Sequence, residues 1–176
     1  MKYTGITRKI DELGRIVIPK EIRKNLSIKD GELLEIYIDN DYIVLKKHSF
    51  LKNYLDVCKK ILDTFNKSLN FNYYLTDREQ IIYSNKRCDK LNDYLYSLID
   101  NRQSYKSNKY ESLLINNISI DGYLVIKPII IDSVCVGLLI ISSEEKSNYD
   151  ELSKIIISLI NNEILIYWKI PIIMIN

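Results

Sequence analysis

Alanine is absent from this chain of 176 residues, and histidine occurs once, at His48. The missing Ala comes with abundant Ile, Asn, Lys and Tyr, the mark of an AT-rich coding sequence, so a single Ile or Asn carries less weight than usual. Cysteine is scarce: Cys58, Cys88 and Cys135 are odd in number and widely spaced, with no C-x-x-C pair. That pattern excludes a disulfide framework, and the three read as buried small hydrophobes of a reducing compartment. A zinc centre needs three or four sulfur or imidazole ligands, so no metal is expected. No Gly-rich phosphate loop and no nucleophile–base pairing are present, and neither a cofactor nor an enzymatic activity is expected. Asp77/Glu79 and Glu144/Glu145 are neighbouring carboxylates, but they fall at turns and read as solvated. The opening MKYTGITRKID has no apolar core of a signal peptide. The most hydrophobic stretch, 155–176, is interrupted by Asn161, Asn162, Glu163, Lys169 and Pro171, whereas a membrane span wants about 20 nearly unbroken apolar residues. It reads as a buried helix followed by an apolar tail, and a cytoplasmic location without a membrane partner is expected.

What is present is unevenly placed. The net charge is only +2, yet residues 1–29 carry eight basic side chains against three acidic ones, a local +5. Residues 30–47 carry two basic against five acidic, a local −3. One half of the N-terminal segment is therefore cationic and the other is not. Residues 6–11 and 15–18 alternate like strands about a turn at Asp11 to Gly14. Pro19 suits the first position of a helix, and Lys20 to Leu26 can form about two turns with Ile22 and Leu26 inward. After an Asp30-Gly31 turn, Leu34, Ile36 and Ile38 share one face; Asp39-Asn40-Asp41 then returns the chain into 42–47. The predicted unit is β-β-α-β-β. A unit that small seldom buries enough apolar surface without disulfides, metal or a partner. It has no Cys, so a partner is expected, and dimerisation follows from physics alone.

Residues 51–69 repeat apolar groups at Leu51, Tyr54/Leu55, Cys58, Ile61/Leu62, Phe65 and Leu69, a helical spacing that serves a linking helix in an oligomerisation bundle or an ordinary core helix. Beyond residue 70 the pattern is mixed. Strands are predicted at 71–76 and 80–84, a helix at 89–100 with Leu91, Leu95, Leu98 and Ile99 inward, and strands at 112–118, 122–131 and 134–142, the last two a hairpin about Asp132-Ser133. A closing helix at 148–168 is predicted to turn Leu152, Ile155, Ile156, Leu159 and Ile160 inward.

Binding to a nucleic acid duplex requires Lys and Arg fixed on one face, so that several phosphates are neutralised together. Arg8 and Lys9 on the first strand, Arg15 after the Gly14 turn, and Arg23 with Lys24 on the short helix form such a set, doubled by a two-fold axis. The run RKIDELGRIVIPKEIR at 8–23 resembles the swapped-hairpin DNA-binding domain of the AbrB-type transition-state regulators, and the likeness extends over nearly all of 1–48. The resemblance implies an interlaced dimer whose hairpins complete one barrel, with duplex DNA as partner and Arg8, Arg15 and Arg23 as its contacts. Lys24 stands where that family usually has another Arg; it supplies charge without the planar fork. Lys9 is added from charge and neighbourhood. The segment IKPIIIDSVCVGLLIIS, with Pro128 and Gly137, is similar to the GAF pattern of a Pro-led strand, a turn and a Gly-containing strand. The expectation is an α+β chain: a dimeric swapped-hairpin β-barrel at 1–50, a linking helix at 51–69, and a GAF-like α/β sensor and oligomerisation domain at 70–176. The resemblance further implies a homotetramer assembled through the C-terminal region, association with the nucleoid, and control of sporulation or transition-state genes. Tyr73, Tyr83 and Tyr123 read as core aromatics rather than a pocket lining; a small-molecule effector is compatible with a GAF-like domain, but none is named. The alternative is an antitoxin-like interaction module built on the same swapped-hairpin domain. Against it, antitoxins usually carry a disordered toxin-wrapping tail, whereas residues 51–168 look folded.

Overall fold

Turn chemistry and strand alternation set the elements of the computed structural model, which describes residues 4–26, 28 and 30–169. The expected apolar tail at 170–176 and the basic residues Lys2 and Lys29 lie outside them. The chain divides into two units, Met1–His48 and Ser49–Asn176.

In the first unit, residues 4–19 form no regular element on either side of a turn at Asp11 to Gly14, closed by Gly14 N–H donating to the Asp11 carbonyl (2.9 Å) and Asp11 N–H to that of Arg15 (3.0 Å). Gly14 sits at φ +73°, a left-handed conformation that suits glycine. The two arms, predicted as strands, carry no strand pairing in the single chain. A lone two-stranded ribbon is marginal in water, and nothing in this unit covers it. Helix α1 (Lys20–Asn25) follows. Pro19 is its N-cap rather than its first residue, its carbonyl accepting from Arg23 N–H at 3.0 Å. Strands β1 (Leu34–Asp39) and β2 (Tyr42–Lys47) pair antiparallel, Ile36 opposite Leu45 and Ile38 opposite Ile43, with Asn40 in the left-handed region at the turn. One face of this hairpin is apolar and open: Ile36, Ile38 and Ile43 are each more than two-thirds exposed. Ile22 is half-buried, and Leu26, predicted inward, is exposed. Among the described residues of this unit no side chain is buried.

The second unit opens with a short helix α2 (Phe50–Asn53) and a long one, α3 (Leu55–Ser68), separated at Tyr54. Its antiparallel sheet holds β3 (Asn72–Thr76), β4 (Ile81–Ser84), β5 (Tyr105–Lys106), β7 (Ile118–Ile131) and β8 (Val134–Ser143) in the order β4-β3-β8-β7-β5, and β6 (Glu111–Ile115) pairs with β7. Side chains alternate across a strand, and both faces of this sheet are covered. Leu139 and Ile141 join the cluster built with α3 and α5 (Tyr149–Lys169), while Leu138 and Ile140 join the one built with α4 (Asp93–Asn101). Leu51, Cys58 and Leu62 sit wholly inside the first cluster. Residues 51–69 therefore contribute to this unit's core.

Several expectations are corrected. The strand predicted at 112–118 breaks earlier, at Asn116-Asn117, where Asn116 adopts φ +48° and its amide donates to the Lys90 carbonyl at 2.7 Å. Residues 118–121 thus belong to β7. Helix α4 starts at Asp93, not 89, because Asn92 caps it by accepting from Leu95 N–H at 3.0 Å. On α5 the sheet receives Ile156, Ile160 and Ile164, whereas Ile155 and Leu159 are exposed. Asp77 is not solvated: it is 4 % exposed, one carboxylate oxygen accepting from the N–H groups of Glu79 and Gln80 (2.8 Å each) and the other meeting Lys52 Nζ at 2.8 Å. Cys88 is exposed, while Cys58 and Cys135 are buried, and desolvation pushes the Cys58 thiol up to about 11. Of the three aromatics read as core, Tyr73 is buried and donates to Asp63 at 2.6 Å; Tyr83 donates to the same carboxylate at 2.9 Å. Tyr123 instead borders a cleft of about 390 Å³ with Lys106 and Lys146. No helix among the described residues is long and apolar enough to cross a membrane.

Candidate nucleic-acid interface

The five cationic residues lie on the two arms and on α1 of the first unit. Arg8 and Lys9 are exposed on the arm before the turn, and Arg15 is exposed just after it. Arg23 and Lys24 occupy the last turn of α1. The six-residue α1 is too short to serve as the recognition helix of a helix-turn-helix protein.

Two of the arginines are held by carboxylates that charge counting had passed over. Arg15 Nε donates to Asp11 Oδ2 at 2.7 Å, while Asp11 Oδ1 accepts from the backbone N–H groups of Leu13 (3.0 Å) and Arg15 (2.8 Å). The Arg15 backbone N–H, then its guanidinium, then the Leu13 N–H hold the Asp11 carboxyl below the usual carboxylate range. Arg23 Nη1 donates to Asp30 Oδ1 at 2.5 Å. Arg8 Nη1 donates to the Thr7 carbonyl at 2.9 Å. The signal for Asp11 was present in the sequence, since an Asp three residues before a turn glycine is a side-chain-capped turn. It was read only as part of a turn. Among the described residues no group of three or more His, Cys, Asp or Glu is placed to hold a metal ion.

Chemically, exposed guanidinium and ammonium groups on an arm, a tight turn and a short helix can neutralise phosphates. Arg additionally offers paired donors to guanine edges or phosphate oxygens.

Comparison with known proteins places this unit and the whole chain. Residues 7–51 match the family model described as "Antidote-toxin recognition MazE, bacterial antitoxin". Transition state regulatory protein AbrB of Bacillus subtilis (strain 168) is 58 % identical over 48 residues, 27 % of this chain and 50 % of that protein. Putative transition state regulator Abh of the same organism is 50 % identical over 48 residues, covering 27 % and 52 %. Stage V sporulation protein T of Bacillus subtilis (strain 168) is 34 % identical over 156 residues, spanning 84 % of this chain and 88 % of that protein. That similarity runs through both units, and the chain belongs to the stage V sporulation protein T family, carrying an AbrB-type domain at its N-terminus.

Proposed function

We propose that this protein is a DNA-binding transcription regulator that acts as a symmetric oligomer and controls sporulation or transition-state genes. Residues 1–50 of two chains exchange hairpins and complete one barrel, burying the open face of Ile36, Ile38 and Ile43. Arg8, Lys9, Arg15, Arg23 and Lys24 of both chains then face duplex DNA. Residues 51–69 link this domain to the rest, and residues 70–176 form a GAF-like domain that joins two dimers into a tetramer. The assembly works in the cytoplasm on the nucleoid. The observation that carries this reading is a unit, similar to transition-state regulators, whose first 29 residues carry a local +5 and whose apolar hairpin face is uncovered in the single chain. Contacts of this type position a protein on phosphates and respond to DNA shape more than to a strict base code. A polar cleft of about 610 Å³ bordered by Tyr74, Lys86, Arg87, Asp121 and Glu144 offers a small effector a place on the second unit. Two of the three relatives are named as transition-state regulators, and no enzymatic activity is assigned.

The matched antitoxin model keeps a second reading in view, a toxin-binding module. The two core clusters of the second unit weigh against a toxin-wrapping tail. Salt titration of duplex binding tests the main reading, since log affinity falls with log salt by about 0.9 per phosphate neutralised. Replacing Arg15 and Arg23 by Ala removes four charges per dimer. Binding is expected to weaken about 100-fold at physiological salt, and the slope to shallow by on the order of three, with the oligomer intact by light scattering. Unchanged affinity and slope in that variant rule out the assigned surface.

A further inference from the structure

Asp11 and Asp30 lie in contact with arginines of the first unit, and simple electrostatics treats both as liabilities toward a polyanion. Their geometries differ. Asp11 sits inside the turn that carries Arg15. Its Oδ1 accepts the N–H groups of Leu13 and Arg15, its carbonyl accepts Gly14 N–H, and its own N–H returns to the Arg15 carbonyl. Those four bonds within five residues fix the backbone beneath Arg15. The remaining oxygen, Oδ2, takes Arg15 Nε at 2.7 Å, the inner nitrogen of the guanidinium. A guanidinium has five N–H donors. The four on the two terminal nitrogens are not used by Asp11, and the Arg15 side chain is 71 % exposed. Asp30 is placed otherwise. It comes seven residues after Arg23, is 93 % exposed, and occupies terminal Nη1 at 2.5 Å, one of the nitrogens that would itself reach a phosphate.

We propose that Asp11 is a positioning residue for Arg15, holding the guanidinium by its inner edge so that its terminal nitrogens present a preformed fork to a DNA phosphate or guanine edge, whereas Asp30 competes with DNA for Arg23. This rests on the DNA-binding reading above. A long side chain fixed before encounter loses less rotamer freedom on binding. A carboxylate on Nε leaves the fork's outer edge open, so orientation outweighs the repulsion between Asp11 and phosphate. The same chemical change at the two aspartates therefore has opposite signs.

The test uses the full-length protein and an AT-rich 40-base-pair duplex selected from a random pool by the wild type, with binding followed by fluorescence anisotropy. Asp11→Asn keeps an amide oxygen to accept the Leu13 and Arg15 N–H groups, so the turn persists, but its nitrogen cannot accept from Arg15 if that oxygen caps the turn. The expected result is about tenfold weaker binding, although the surface has lost a negative charge. Asp30→Asn is expected to bind up to about threefold tighter than wild type, and binding no tighter than wild type overturns the competing role of Asp30. In an Arg15→Ala background, Asp11→Asn is expected to lose its effect or to tighten binding, which a merely structural role for Asp11 would not produce. If Asp11→Asn binds as well as or better than wild type while Arg15→Ala binds weakly, the positioning role is overturned and the DNA-binding reading stands. If Arg15→Ala binds normally, both the positioning role and the assignment of Arg15 fall.

Discussion

The two units of this chain solve the problem of apolar surface in opposite ways. The second covers both faces of its sheet, so that adjacent β8 residues such as Leu138 and Leu139 enter different core clusters and both are fully buried. The first arranges its apolar residues with equal regularity, Ile36 and Ile38 opposite Leu45 and Ile43. Yet Ile38 is 84 % exposed and Ile43 71 %. Both hairpins obey the same alternation rule; they differ in whether the same chain supplies the cover. A soluble surface seldom leaves such a face open without a use for it, and here the use proposed is a second copy of the same unit.

The sharpest way to break that comparison is to place a charge on the open face. In a single folded chain, Ile38→Asp would put a carboxylate into solvent and cost little. If a partner covers the face, an unpaired charge is left in a buried setting, at about 3–5 kcal/mol. The variant is expected to lose its assembly in light scattering and to unfold its N-terminal unit by hydrogen exchange, with the second unit's amides still protected. Full retention of the oligomer and of N-terminal protection in Ile38→Asp refutes the covered face.

Much of the second unit was legible because its signals are local. Most of the helical spacing from Leu51 to Phe65, the Asp132-Ser133 turn and the inward set Leu91, Leu95, Leu98 and Ile99 appear where the pattern placed them, although the helix breaks at Tyr54 and Leu69 is exposed. What escaped depends on distant partners or on ambiguous turn residues. Asn116-Asn117 went unread since apolar alternation continues on both sides of it. Ile155 and Leu159 share the apolar character of Ile156 and Ile160, and only the sheet's position decides which face of α5 is buried. Asp77 looked solvated because its partner Lys52 lies 25 positions away and its turn donors are backbone groups. At the candidate site the cations stood out only once the family resemblance was joined to the charge pattern, while Asp11 was read merely as part of a turn and the contact of Asp30 with Arg23 went unread. The strands predicted at 6–11 and 15–18 carry no strand pairing in the single chain.

A smaller effect separates the two units through their glycines. A Cβ on Gly137 would lie 1.9 Å from the Thr76 carbonyl oxygen and 2.9 Å from Leu51 Cδ1, so β8 must move against backbone. Gly137→Ala is expected to lower stability of the second unit by about 1–3 kcal/mol, the usual scale of overpacking. At Gly14 nothing lies within 4 Å of an added Cβ, and the objection to a side chain is φ +73° alone. Gly14→Ala should therefore cost about 1–2 kcal/mol of backbone strain, felt at the turn and not in the second unit. Thermal melts with exchange protection resolved by unit distinguish the two. Equal loss in both units from either substitution contradicts their separate packing.

The smallest expected difference concerns two ion pairs that look alike on paper. Asp11 with Arg15 is solvent-exposed, whereas Asp150 meets Lys127 Nζ at 2.8 Å with both side chains mostly covered, 22 % and 14 % exposed. Lys127, and then Lys154, hold the Asp150 carboxyl below its ordinary 3.8. A depressed folded-state pKa favours the ionised form in the native state. Its contribution is present above the unfolded value and is lost as pH falls through the folded one. Asp150→Asn should thus cost about 1 kcal/mol at pH 7, and the gap between wild type and variant should begin to close as pH falls below about 4 and go on closing as it passes the lower folded-state value. Asp11→Asn should lower the melting temperature at pH 7 by less than Asp150→Asn does, because its pair is solvent-exposed. A gap between wild type and Asp150→Asn that persists undiminished at pH 2.5 assigns the effect to packing instead of charge. The two pairs would then differ in shape alone, since the Lys127 ammonium gains from Asp150 only while that carboxyl is ionised.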